Sequence, residues 1–275
     1  MKFGLLATIS AIALLSSGAA DASIISTGTT AASFVVFQTP NAGNMVGSAA
    51  QPFAQSGSGN IITLNQLGSD NTFGAGADAS FQSGNGNQAS VSQSGIGSSI
   101  VLQQTGDSNG LSGGVVSSIA QSATDSSIKI VQNGSGNGFK VTQSGTKTML
   151  ALNQTGMTNM ALLSQAGTNL KMTIDQNGSN NMIQADQSGI DNTLNALQTG
   201  IGHTMLINQS GNLNQIQASQ SGTGQFASLS QSGSQNTILG SQSGSNNQAY
   251  VTQTSNGNIA SYTQSGTGNI ARIRQ

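Results

Sequence analysis

The sequence has no cysteine, no tryptophan and no glutamate, two prolines in 275 residues, and only 5% charged side chains. Without cysteine, neither disulfides nor thiolate metal ligands can hold the fold together. One histidine and eight scattered aspartates leave no acid/base pair, nucleophilic triad or metal cluster, so no catalytic, cofactor or metal residues are assigned and the chain reads as a non-enzyme. A net charge of −1 leaves nothing to attract phosphate backbones or anionic membranes, which argues against a nucleic-acid partner. Soluble domains are typically about one quarter charged. Here Gly, Ser, Asn, Gln and Thr fill that place, and the surface must be polar but neutral. The glycine-rich turns lack the following Lys and helix of a phosphate loop, and most lack the Asp that calcium-binding nonapeptide turns need.

Long apolar runs are equally scarce. The one present, Phe3 to Leu15, follows Met1-Lys2 and precedes Ala20-Asp21-Ala22, the pattern of a secretory signal cleaved before Ser23. It is too short to cross a bilayer, and no other stretch is long enough. Residues 1–22 are therefore expected to be removed on export, leaving a mature chain that is not an integral membrane protein.

What is abundant is glutamine at one interval. From Gln121 it returns every eleven residues, at Gln132, Gln143, Gln154, Gln165, Gln176, Gln187, Gln198, Gln209, Gln220, Gln231, Gln242, Gln253, Gln264 and Gln275. The same interval joins Gln82, Gln93 and Gln104, and also Gln55 and Gln66. Five extra residues near Gly74 to Ala79 and six within Leu111 to Ala120 interrupt it, so the array runs over 55–275 and residues 23–54 are expected to lie outside it.

One period reads Gln-Ser-Gly-x-x-Asn-x-Φ-x-Φ-x-Gln, with Φ apolar. The second residue after Gln is Gly in seventeen of nineteen turns, including Gly134, Gly145, Gly156, Gly167, Gly178, Gly189, Gly200, Gly211, Gly222, Gly233, Gly244 and Gly266; Ala123 and Ser255 are the exceptions. Glycine tolerates positive φ, so Ser-Gly-x-x predicts a tight reversal. The seven residues from Asn to the next Gln alternate as a strand does. Asn181, Ile183, Ala185 and Gln187 share one face, with Met182, Gln184 and Asp186 on the other. Asn137, Asn159, Asn192, Asn214, Asn236, Asn247, Asn258 and Asn269 hold the slot that Asn181 holds. His203 replaces Asn there and is expected to act as a hydrogen-bonded spacer.

The charges give an independent check on the facing. Lys129, Lys140, Lys171, Asp175, Asp186, Arg272 and Arg274 all have the opposite parity to the amides, while Asp125, Lys147 and Asp191 fall in turns. The amide and apolar face is thus the interior, where an unpaired charge would cost several kcal/mol and stacked neutral amides satisfy one another.

Because every strand carries the same inward pattern, its face must meet another inward face. A strand, an arc and a second strand across a narrow core make one 22-residue coil, and the slot five after each Gln supports this unit by alternating Asn87, Ser98, Asn109, Ser126, Asn137, Thr148 and Asn159. The expected fold is all-β, a β-solenoid or cross-β stack of such coils. Adjacent coils lie about 4.8 Å apart, with Gln over Gln and Asn over Asn. The last regular strand, Asn269 to Gln275, shows no capping element, and matching uncapped ends predict head-to-tail association into an amyloid filament.

Ser126, Gln132, Gly134, Asn137 and Gln143, and again Asn247-Gln248-Ala249 to Gln253, resemble the curlin repeat of bacterial curli subunits. That resemblance implies export through the periplasm and, still unfolded, through an outer-membrane secretion pore. It also implies polymerisation with itself, beside a nucleator or sister subunit, into an extracellular cell-surface fibre used in adhesion and biofilm matrix. Residues 23–54 take the place of that family's secretion-targeting segment. Two other readings of the repeats stay open. A monomeric ice-binding type of solenoid would tile one outward face with one residue, whereas Lys140, Met160, Gln184, Leu206 and Tyr250 vary. A disordered Gln/Asn-rich polymer would have no reason to keep charges off one face.

Overall fold

The computed structural model describes residues 11–15, 21–22, 24–26, 33–38, 43–48, 52–74, 78–112 and 115–275. Strands and the arcs between them make up these residues, and no helix long and apolar enough to cross a membrane is found among them. Successive strands alternate between a twelve-stranded and a fourteen-stranded sheet, and neighbours within each sheet are parallel. Met160–Thr168, for example, pairs with Gly138–Thr146 before it and Met182–Ile190 after it, with Gln143, Gln165 and Gln187 in line. The chain therefore winds as a β-solenoid, and from Gln121 onward each coil takes 22 residues.

Alternation puts one side of each strand between the sheets. Ile183 and Ala185 are fully buried, as are Leu194, Met205, Ile216 and Ile238 from later coils, and all belong to one continuous apolar core. Repetition along the axis gives each coil the same kind of neighbours above and below.

The strands are longer than the alternation predicts. A typical one has nine residues, such as Met149–Met157, beginning one residue after the slot and running through Gln-Thr-Gly-Met. Each arc lies over an arc of the same shape, so its backbone donors and acceptors also pair with the next coil and the ladder does not stop at the bend. Most reversals use two left-handed positions, although Gly95, Ala123 and Ser255 have no positive φ two after Gln. Besides the glycine, every residue four after Gln has φ between 51° and 71°, from Asp125 at the low end to Gly257 at the high end. Asp125, Lys147 and Asp191 occupy this position.

The solenoid also reaches further toward the N-terminus than the regular spacing does. Ser33–Gln38 pairs with Ile61–Gln66 in the twelve-stranded sheet, Gln38 beside Gln66, and Phe34 and Val36 are buried. The boundary at residue 55 marks where the even interval begins, not where the sheet begins. The sequence carries extra residues between Val46 and Phe53, as it does between Phe73 and Phe81 one coil later, and Asn44 stands six rather than five residues after Gln38, which together take Gln38 off the eleven-residue interval. Thr72–Phe73 and Phe81–Ser83 together fill one strand's place beside Ser99–Asp107. The second insertion leaves the stack as a small antiparallel hairpin, Leu111–Ser112 with Val115–Val116. Most of the expected signal segment, including Ser23 at the cleavage junction, lies outside the described residues; within it, Ala11–Leu15 pairs parallel with Ser33–Phe37.

Candidate functional site: two amide ladders

The recurring glutamines form two unbroken rows, one per sheet. In the twelve-stranded sheet Nε2 of Gln38, Gln66, Gln93, Gln121, Gln143, Gln165, Gln187, Gln209, Gln231 and Gln253 each donates to Oε1 of the glutamine one coil on, finishing at Gln275, at 2.6–3.0 Å. The other sheet repeats this from Gln55 through Gln82, Gln104, Gln132, Gln154, Gln176, Gln198, Gln220 and Gln242 to Gln264, again at 2.6–3.0 Å. These side chains are buried, apart from Gln275 in the last strand.

Every bond in both rows points the same way along the chain. The second amide proton explains why. Gln165 Nε2 also donates to Met149 O at 3.1 Å, and Gln187 Nε2 to Lys171 O at 3.1 Å, each a carbonyl on the opposite sheet. A nitrogen must face that carbonyl, so the oxygen is left facing the preceding coil, and the orientation of each amide is dictated by its partners. One glutamine thus ties its coil to the next and one sheet to the other. Polar networks at low dielectric stabilise only when every member is satisfied, as these interior amides are.

The asparagines work differently from the side-chain stack expected of them. Asn159 Oδ1 accepts the backbone N–H of Asn181 at 3.1 Å, while its Nδ2 donates to Thr155 O at 3.2 Å in its own turn and to Gly178 O at 3.0 Å in the next coil. Asn192, Asn214 and Asn247 repeat this arrangement, and Asn236 keeps the bond to its own turn and the one to Asn258 N–H. Direct amide contacts occur only in places, as from Asn159 Nδ2 to Asn137 Oδ1 at 3.1 Å and from Asn269 Nδ2 to Asn247 Oδ1 at 3.0 Å. Asn is one methylene shorter than Gln, which leaves its amide at the backbone of the arc rather than over the next side chain.

His203 reproduces both functions of Asn with a ring. Its Nδ1 accepts the Gln225 N–H at 3.2 Å and its Nε2 lies 3.1 Å from Thr199 O, which requires the neutral tautomer with the proton on Nε2. Burial holds its pKa below the ordinary histidine value, partly opposed by its backbone hydrogen bonds to Thr199 and Gly222. Leu170, also buried in a slot, has no group to make either bond.

The turn glycines are required by the coil above as much as by their own φ. A Cβ on Gly156, whose φ is 107°, would lie 2.1 Å from the carbonyl oxygen of Gly178, and one on Gly145 would lie 1.8 Å from that of Gly167. Gly178 O is also the acceptor for Asn159 Nδ2, so the missing side chain leaves room for the oxygen that the asparagine grips. Gly266 has only Asn269 Nδ2 near that position, at 3.6 Å. A different small residue, Gly240, stands on the inward face where a Cβ would meet the Tyr262 ring at 2.3 Å, and burial pushes the Tyr262 hydroxyl above the usual phenol range.

Charge stays outside this system. Lys129, Lys140, Lys171, Asp186, Arg272 and Arg274 are exposed, and Lys129 Nζ meets Asp78 Oδ2 of the first insertion at 2.6 Å. The second left-handed position, four residues after Gln, is not among the features expected from the sequence. Its signal was present, since Gly occupies that position eight times in nineteen and Asn or Asp six times.

No match to the chain is found among curated proteins. Within the array, residues 222–254, which span Gln231, Gln242 and Gln253, match the family model of the curlin associated repeat.

Proposed function

We propose that this chain is a secreted structural subunit of an extracellular curli-like amyloid fibre serving adhesion and biofilm matrix. The observation that carries this reading is the pair of unidirectional glutamine ladders, in which every coil offers the next the same surface, together with the curlin associated repeat at residues 222–254. A stack of that kind grows by adding copies of itself, since the edge of the last coil is a template for the first coil of another molecule. Both the β-solenoid and the repeat are structural rather than enzymatic in kind. In this reading export removes residues 1–22, residues 23–54 direct secretion through an outer-membrane pore, and a nucleator or sister subunit starts the fibre.

The test is assembly. Purified chain beginning at Ser23 should convert from disordered monomer to fibres visible by electron microscopy, with a diffraction reflection near about 4.7 Å along the axis, and preformed fragments should shorten the lag. A stable β-rich monomer that ignores seeds would instead support a monomeric binding solenoid.

A further inference from the structure

The two ends of the stack are chemically different and complementary. At one end, Gln38 donates through Nε2 to Gln66 Oε1 at 2.6 Å, but its own Oε1 is buried without a partner, the one such side-chain atom among the described residues. At the other end, Gln275 accepts from Gln253 at 2.8 Å while its Nε2 reaches only the Ile259 carbonyl, at 3.2 Å, where interior glutamines also donate to a further glutamine. One end therefore has a spare acceptor and the other a spare donor, on the same ladder.

The backbones agree. Ile270–Arg274 is the outermost strand at one end of the twelve-stranded sheet, and among the described residues nothing pairs with its far edge. Ser33–Gln38 accepts a parallel strand on its far edge, since Ala11–Leu15 sits there in register from Ser33 to Phe37. Removal of residues 1–22 would vacate that edge.

We infer that Ser33–Gln38 of one copy docks, parallel and in register, on Ile270–Gln275 of a second copy, with Gln275 Nε2 donating to Gln38 Oε1. This rests on the fibre reading and adds polarity, register and the receiving segment, which lies before the regular repeats. The register sets Ile273 over Val36 and the small Ala271 over Phe34, whose ring already stacks on Phe53 at 4.7 Å. On the outward side Arg274 falls beside the exposed ring of Phe37, as Arg272 already lies 5.2 Å from the Tyr250 ring one coil away. The phase is preserved too. Ile24–Ser26 lies in the other sheet and precedes Ser33–Gln38, so the junction continues the alternation of sheets.

The absence of native cysteine makes the register directly readable. Neighbouring parallel strands lie about 4.8 Å apart, inside the Cα separation of about 4.4–6.8 Å that a disulfide spans. Phe37→Cys and Arg274→Cys versions of the chain from Ser23 are mixed, assembled with seeds, oxidised, dissolved and separated without reductant. The expected product is a disulfide-linked pair holding one of each, with little from either variant alone. Arg272→Cys mixed with Phe37→Cys is displaced by two residues and should link at least about tenfold less. Fibres that yield only like-with-like pairs, or link equally in both registers, or not at all, overturn this junction and leave the fibre reading standing. If no variant and no parent chain forms fibres by electron microscopy, the fibre reading itself falls and the junction with it.

Discussion

Along the twelve-stranded sheet, each coil from Gln121 to Gln275 spans 22 residues, whereas the three coils from Gln38 to Gln121 span 28, 27 and 28. The glutamine bonds fall within 2.6–3.0 Å in both regions. What is kept is therefore the register of the ladder and not the number of residues in a coil. Facing in a strand has period two, and an odd insertion absorbed within it would turn the following glutamine outward. After the five extra residues near Gly74 and the six near Leu111, the strands resume with the same side chains inward. Interruption shortens the paired strands in the early coils, and larger core side chains accompany it there: Phe53 lies between Phe34 and Phe73, with centroids 4.7 and 5.8 Å away. The later core is mostly Ile, Leu, Val, Met and Ala.

The strongest way to break the regular region is to charge its interior. Ile183→Asp buries a carboxylate between the sheets and should cost several kcal/mol, enough to slow fibre formation severely or expel that coil. Gln184→Asp, one residue along and exposed, should cost less than about 1 kcal/mol. Dye fluorescence and sedimentation at matched concentration compare the two. Equal effects would mean the facing is wrong by one residue.

The two regions can next be compared at matched glycines. Gly106 and Gly156 have φ of 104° and 107°, and a Cβ on each would lie 2.0 and 2.1 Å from the carbonyl oxygen one coil on. Gly106 precedes the hairpin insertion; Gly156 lies in the even array. Alanine at either should cost at least about 2 kcal/mol by denaturant melting. A clearly smaller loss at Gly106 would show that the irregular coils are packed less tightly.

A pH titration sharpens the comparison within the slots. His203 is neutral in the fold and its pKa is lowered there, so the unfolded chain binds the extra proton more readily. Stability from this coil is complete above the unfolded value near about 6.5 and declines as pH falls below it, because a proton on Nδ1 would face the Gln225 N–H. The melting temperature should drop on acidification, and His203→Asn should remove most of that drop. An unchanged acid response in that variant would place the sensitivity elsewhere.

Deleting residues 75–79 should do least. It restores the run Asn71-Thr72-Phe73-Gly74-Ser80-Phe81-Gln82 with its alternation intact and loses an exposed ion pair, Asp78 with Lys129. The expected change in stability is within about 1 kcal/mol of zero. A large loss would mean that residues 75–79 themselves help hold the early coils together.

Much of the coil was legible in the residues because facing has a short period and charge cannot be buried without a partner. The parity of Ile183, Ala185 and Gln187 against Lys129, Asp175 and Asp186 needed only the alternation of a strand. Gln38 was not legible as a ladder member, since the extra residues before Gln55 break the interval and nothing local says that the ladder continues on their far side. The double duty of most Gln amides was equally hidden, because in the regular coils the carbonyl they reach belongs to a strand sixteen residues away on the other sheet.

By itself, then, the sequence determined which side chains face inward, that the chain coils in units of 22 residues, and that the charges of the regular array keep off its inward face. The tertiary structure alone decided that the sheets extend before residue 55, why glycine rather than another small residue stands two after most of the glutamines, and which way the amides point. The first set follows from local periodicity. The second depends on atoms one coil away, where a carbonyl oxygen at about van der Waals contact with glycine leaves no room for a Cβ, and on a carbonyl across the core that most of the amides also reach.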